Sequence, residues 1–209
     1  MVMKAKQAFM DFSHRLPMDF SSFATDITTL ALVRQLRAQP TKPFGLIHLE
    51  GCHGCGKTHL ATAWLRENNV PLEDWGNMVF DAGQGGGPEQ LFHAINRAWQ
   101  AEHRMVVLST PAQSEILSKL PDVRSRLAAG IFLSIPDPGD EVLTTILERH
   151  LLVHGIKLTR EDLQFFIHRL PRSPQDVIHA AELMKNIMFE QKMTASKKLF
   201  HLVLEEIVS

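Results

Sequence analysis

Short apolar runs alternate with amphipathic stretches through the first two thirds of the chain. Residues 44–50 (FGLIHLE), 77–81 (NMVFD), 105–109 (MVVLS) and 131–135 (IFLSI) each have the length and apolarity of a buried strand. Between them lie helical patterns. Leu30, Leu32, Val33 and Leu36 form a stripe after a cap offered by Thr28 and Thr29, and residues 59–66 contain no breaker. Pro88 and Glu89 suit a helix start, with Leu91, Ile95, Ala98 and Trp99 on one face, and residues 120–127 predict a short helix. Strands alternating with helices predict an α/β fold with a parallel sheet covered by helices.

After Pro136-Asp137-Pro138-Gly139 the pattern becomes entirely helical. One helix carries Leu143, Ile146, Leu147 and Leu151 and stops at Gly155. Thr159-x-x-Asp162 resembles a capping box before Leu163, Phe166, Ile167 and Leu170. Ser173-Pro174 opens a third, with Val177, Ala181, Met184 and Met188, and residues 196–207 form a fourth with Leu199, Leu202, Val203 and Ile207. Their methionines read as core. The chain thus divides into a leader (1–17), a base domain (18–136) and a small all-α lid (137–209).

Between the first strand and its helix stands Gly51-Cys52-His53-Gly54-Cys55-Gly56-Lys57-Thr58, a full match to the phosphate-loop pattern G-x-x-x-x-G-K-[ST]. The glycines let backbone N–H groups approach phosphate oxygens, and the helix behind directs its positive end at the same anion. Gly51, Gly54, Cys55, Gly56, Lys57, Thr58 and His59 are therefore the candidate nucleotide contacts. Lys57 neutralises terminal phosphate charge, and the Thr58 hydroxyl binds Mg²⁺. Asp81, an acid ending an apolar strand, is the second candidate Mg²⁺ residue. Ala82 follows it where many such ATPases carry a second acid, which argues for weak hydrolysis. Ser109 and Thr110, at the end of a strand, suit either a phosphate sensor or strand-end capping.

Composition narrows the function classes. In 209 residues the formal net charge is −1, so no overall basic field advertises nucleic-acid binding, although Lys157, Arg160, Arg169 and Arg172 form a local lid patch. No apolar run is long enough to span a bilayer, and the N-terminus lacks the features of a secretory signal, so a cytoplasmic protein with no membrane partner is expected. Both cysteines, Cys52 and Cys55, fall inside the phosphate loop. One pair supplies only half a zinc site, so the simpler reading is two small side chains packed around a tight turn, with loop oxidation as a weaker alternative.

Near the N-terminus, Gln7-Ala8-Phe9-Met10-Asp11-Phe12 resembles the Q-x-x-[LM]-x-[FL] peptide by which bacterial replication proteins dock on the sliding clamp. The phosphate-loop base followed by a helical lid resembles the AAA+ class. The run Leu120-Pro-Asp-Val-Arg-Ser-Arg-Leu-Ala-Ala-Gly130, the strand after it, Pro136-Asp-Pro-Gly-Asp-Glu141 and Gly155-Ile-Lys-Leu-Thr159 are similar to the arginine-finger region and lid of DnaA, and more so to Hda-like, DnaA-related regulators. That resemblance implies a negative regulator of replication initiation. Gln7, Met10 and Phe12 would dock on the DNA-loaded clamp, the β subunit of DNA polymerase III, with DNA reached through the clamp. Arg126 would act in trans as the finger that promotes hydrolysis of DnaA-bound ATP. ADP or ATP with Mg²⁺ is the implied cofactor, and a homo-oligomer is allowed. Gln175 stands where relatives place a nucleotide-sensing arginine, and an amide does not compensate phosphate charge as guanidinium does. The segment from Thr58 to Asp81 is short, so the strand and helix usual there are shortened or missing. An initiator-like adaptor and a helicase loader remain as alternatives, and an Arg126–Asp122 surface ion pair is the alternative to the finger.

Overall fold

The computed structural model describes residues 17–208; the hexapeptide at 7–12 lies outside them. In chain order the elements are α1 (Ile27–Arg37), β1 (Gly45–Gly51), α2 (Lys57–Glu67), α3 (Trp75–Met78), β2 (Val79–Asp81), α4 (Pro88–Gln100), β3 (Arg104–Ser109), α5 (Pro111–Leu117), α6 (Pro121–Ala128), β4 (Ile131–Ile135), α7 (Asp140–Val153), α8 (Arg160–Ile167), α9 (Pro174–Gln191) and α10 (Lys197–Val208). The four strands form one parallel sheet in the order β2-β3-β1-β4. The strand bearing the phosphate loop is thus interior, paired on both sides.

Alternation along each strand divides the core in two. Ile47, Leu49, Val106, Leu108, Leu133 and Ile135 pack with Leu36 of α1 and with Leu60 and Trp64 of α2. Leu46, Met105 and Val107 face the other way, onto Leu91 and Ile95 of α4 and Val123 of α6. Helices α7 to α10 close around a third core that includes Leu147, Phe166, Val177, Met184 and Phe200. Trp64 is fully buried, and its indole N–H donates to the Gln39 carbonyl at 2.8 Å, so its one polar atom is satisfied.

Local structure departs from the pattern reading in several places. Asp26, not Thr28 or Thr29, caps α1. Its Oδ1 accepts from the Thr28 and Thr29 amides at 3.0 and 2.8 Å, while Thr29 Oγ1 accepts from the Asp26 amide. The Thr28 hydroxyl donates to the same Oδ1 at 2.6 Å, and this bond first, with those from the two amides and the Thr29 hydroxyl, holds the Asp26 carboxyl down at about 2. The buried face of α1 accordingly uses Thr29, Leu32, Val33 and Leu36, and Leu30 turns outward. Strand β2 is only three residues long, because Asn77 and Met78 belong to a helical turn. Trp99 is 58% exposed instead of facing the core. Ser173 precedes α9, yet its hydroxyl makes no capping bond. Helix α5 was absent from the expectation. Gly155 ends α7 as expected, with φ +72° and the Ile156 amide returning to the Leu151 carbonyl at 2.9 Å.

Three histidines, His48, His59 and His150, have pKa values lowered from the ordinary 6.5, each chiefly by burial, which disfavours the imidazolium. The unfolded chain therefore binds these protons at a higher pH than the folded one. Stability is fully present above the unfolded value and falls as the pH drops below about 6.5. A denaturant midpoint measured at about pH 7.5 and about pH 5.5 should decline across that interval. His48→Gln should flatten the decline, whereas an unchanged slope would remove His48 from it.

Candidate nucleotide-phosphate site

Strand β1 runs directly into the loop, and Gly56 is the N-cap of α2. The three glycines serve different ends. Gly54 and Gly56 adopt φ +75° and +97°, the left-handed region that side-chain-bearing residues avoid. A Cβ at Gly56 would lie 2.6 Å from the Phe23 ring, and one at Gly54 would lie 3.0 Å from Ser173 Oγ and 3.2 Å from Gln175 Cβ. Gly51 needs only space, since a Cβ there would sit 2.5 Å from Cys55 Sγ. Within the loop the Cys55 amide donates to the Cys52 carbonyl at 3.4 Å, closing a turn. Lys57 Nζ donates to the Gly51 and Cys52 carbonyls at 2.9 and 2.7 Å, which holds the ammonium across the loop.

The loop opens on a cavity of about 950 Å³ shared by base and lid. Its lining brings together Gly54, Cys55, Gly56, Lys57, Thr58, His59, Asp81 and Gln175, the predicted residues, apart from Gly51 at the foot of the loop. Asp81 Oδ1 accepts the Gly83 amide at 2.8 Å, which fixes the carboxylate at the cavity edge. One hydroxyl and one carboxylate suit Mg²⁺, which keeps several waters and takes further oxygens from phosphate. Among the described residues no group of three or more His, Cys, Asp or Glu side chains is arranged to hold a metal by itself.

The strand-end hydroxyls separate. Ser109 is fully buried and shares a 2.7 Å hydrogen bond with His48 Nε2, away from the cavity lining. Thr110 lines the cavity, and its Oγ1 accepts the Gln113 amide at 3.3 Å while Gln113 Oε1 accepts the Thr110 amide at 2.8 Å. This box starts α5 and places Gln113 on the cavity wall. Sequence reasoning missed Gln113, although Thr110-Pro111-x-Gln113 is a readable helix start.

A second omission is the segment before α1. Met18, Ser22, Phe23, Ala24 and Asp26 line the cavity. The Asp19 carbonyl lies 2.8 Å from His59 Nε2, Ser22 Oγ 3.2 Å from it, and Phe23 meets the ring edge-on at 5.4 Å. Arg149 of the lid donates to the Ser22 carbonyl at 3.0 Å. His59 therefore ties the loop helix to this segment, and Arg149 ties the segment to the lid.

Arg126 is not among the cavity-lining residues. Its Nη1 donates to Asn96 Oδ1 at 2.6 Å, and the guanidinium lies 4.9 Å from the Phe92 ring and 5.8 Å from that of Trp99. No ion pair to Asp122 forms among the described residues. Of the lid patch, Lys157, Arg160, Arg169 and Arg172 are all exposed, but Arg172 is paired with Asp140 and Arg169 stacks on Phe165 at 3.7 Å. Among the described residues no helix is long and apolar enough to cross a membrane.

No family model matches. The chain is 28% identical over 112 residues to the chromosomal replication initiator protein DnaA of Aliarcobacter butzleri, a match covering 54% of this chain and 25% of that protein. Among solved structures, domain III of Thermotoga maritima DnaA superposes with a TM-score of 0.72 at 15% identity, covering 92% of this chain and 97% of that one. The Thermotoga maritima RuvB Holliday junction branch migration motor gives 0.65 at 16% identity, over 90% of this chain and 72% of that one. DnaA bound to AMPPCP and single-stranded DNA gives 0.58 at 14% identity, over 84% and 68%. The chain thus has the AAA+ fold of DnaA domain III and is related in sequence to about a quarter of DnaA's length.

Proposed function

We propose that this protein is an Hda-like regulator of the DnaA replication system, which binds ADP or ATP with Mg²⁺ in the cavity and supplies Arg126 to DnaA in trans. The observation that carries this reading is the placement of Arg126, outside its own cavity and presented by α4 and α6 with the guanidinium held by Asn96. A residue so placed does not serve nucleotide in the same chain, yet it suits donation across an interface. Gln7, Met10 and Phe12 dock the protein on the β sliding clamp, so that DNA is reached through the clamp. Ala82 and Gln175 leave the protein's own site poor in the groups that drive hydrolysis, which fits a nucleotide held mainly as a structural ligand. The protein works in the cytoplasm, as a monomer or homo-oligomer.

The test is hydrolysis of DnaA-bound ATP in the presence of clamp loaded on DNA. The protein should accelerate it, and Phe12→Ala should remove most of the acceleration by withdrawing an apolar anchor worth roughly 2 kcal/mol or more. Clamp binding without acceleration would favour the initiator-like adaptor. Strong DNA-stimulated turnover by the protein alone would favour a helicase loader.

A further inference from the structure

We propose that Arg149 is a latch between lid and base that sets how long a nucleotide stays in the cavity, by clasping the segment of residues 17–26 that walls it. The control of residence rests on the reading of the cavity as a nucleotide site; the clasp itself does not.

The lid is built to swing. It has its own core, separate from the two that flank the sheet, and the chain passes from base to lid through residues 136–139. A body with its own core on one covalent connection moves against its neighbour unless contacts restrain it. Arg149 supplies such a contact at a distance from the connection. It stands about 15 Å along α7 from Gly139, at roughly 1.5 Å per residue, so a bond there opposes rotation with a long lever arm. Its Nη1 donates to the Ser22 carbonyl at 3.0 Å from a half-buried position. Because the guanidinium keeps its charge, the bond is charge-assisted.

The receiving segment passes that restraint on. Asp19 Oδ1 accepts the Ser22 amide at 2.9 Å and the Ser21 hydroxyl at 2.7 Å, so residues 19–22 form a stiff turn. His59 Nε2 lies 2.8 Å from the Asp19 carbonyl on the base side, while Arg149 holds the Ser22 carbonyl from the lid side. The next residue, Phe23, packs against the phosphate loop at Gly56, leaving no room there for a Cβ. Met18 and Phe23 of this wall share the cavity with Val142 and Ile146 of α7, the helix that carries Arg149. The latch thus fixes the separation of two walls between which a ligand anchored on the phosphate loop would lie.

Ser173 and Gln175, which approach Gly54 from the lid, are both uncharged. Closure at that end therefore draws little from the charge of a bound phosphate, and the Arg149 bond carries a larger share of it. A ligand leaves when the walls part and enters while they are parted. Breaking the latch raises the parted population, which speeds release without slowing capture.

The experiment compares the full chain as wild type, Arg149→Ala, Arg149→Lys and Arg169→Ala. Two quantities are read: backbone hydrogen exchange over residues 17–26 without nucleotide, and stopped-flow association and dissociation of a fluorescent ADP analogue with Mg²⁺. In Arg149→Ala exchange should quicken across the segment, and dissociation should speed up roughly ten-fold, as for loss of one charge-assisted hydrogen bond at a half-exposed site. Association should not slow. Arg149→Lys should recover part of the retention, since its ammonium still donates. Arg169→Ala, at an exposed lid arginine outside the cavity lining, should match the wild type. Unchanged exchange in Arg149→Ala would remove the clasp. Faster exchange with unchanged dissociation would leave a clasp that does not govern residence, and slowed association would mean a damaged site and no latch. Failure of the wild type to bind the ADP analogue would sink the nucleotide reading instead, and exchange would still judge the clasp.

Discussion

Arg126→Ala should abolish acceleration of DnaA-bound ATP hydrolysis while leaving the protein folded and its own nucleotide affinity unchanged. A finger guanidinium stabilises charge developing on the transferring phosphoryl group, and its removal costs roughly 10³–10⁵ in rate. Because Arg126 lies outside the cavity lining, nucleotide affinity supplies the internal control. The fold loses a hydrogen bond to Asn96 and contacts over Phe92 and Trp99 at a half-exposed site, about 1 kcal/mol in all. Arg126→Lys should restore little, since an ammonium lacks the planar fork. The measurement is hydrolysis of DnaA-bound ATP with clamp on DNA, alongside a thermal unfolding curve for each variant. Full acceleration by the alanine variant would remove Arg126 from the mechanism.

The second large effect is expected at Gly56→Val. Three requirements meet there: φ +97°, the N-cap of α2, and an approach to Phe23 that a Cβ would bring to 2.6 Å. A β-branched residue in that backbone conformation costs roughly 1–3 kcal/mol, unless the loop abandons its shape. Either route misdirects the amides and moves Phe23 on the cavity wall. ADP affinity should therefore fall roughly a hundred-fold or more, equivalent to two charge-assisted hydrogen bonds. Gly76→Ala is the matched control, because a Cβ there meets nothing within 4 Å and the position is helical. Retained affinity in Gly56→Val would mean that the loop binds nucleotide in a conformation other than this one.

The parallel sheet, the phosphate loop and the lid were legible because each is written in local pattern: apolar runs, glycine spacing, and Gly155 as a stop. What escaped depended on contacts distant in sequence. Trp99 satisfied the helical stripe yet stands exposed, since Arg126 and Phe44 gather at that surface and the core does not. Ser109 and Thr110 are adjacent, yet strand alternation turns Ser109 inward to His48 while Thr110 ends the strand as a cap. The cavity's leading wall, Met18 to Asp26, carries no recognisable motif; it is held by a histidine 40 residues on and an arginine 127 residues on. Gln113 alone had an overlooked local signal. Cys52 and Cys55 were visible as a pair, but their unequal burial, Cys55 within the core and Cys52 half-exposed, depends on packing from distant strands and helices.

The pinning of Asp19 by His59 has a bearing on reach. Seven peptide steps separate Phe12 from Asp19, so a fully stretched chain spans at most roughly 25 Å between them. A clamp holding the hexapeptide would carry this protein on a short leash, with its body confined to a shell about that thick above the docking groove. Within such a shell the local concentration of Arg126 for a neighbouring target reaches the millimolar range typical of short tethers. Targets farther along the DNA would gain nothing from the attachment.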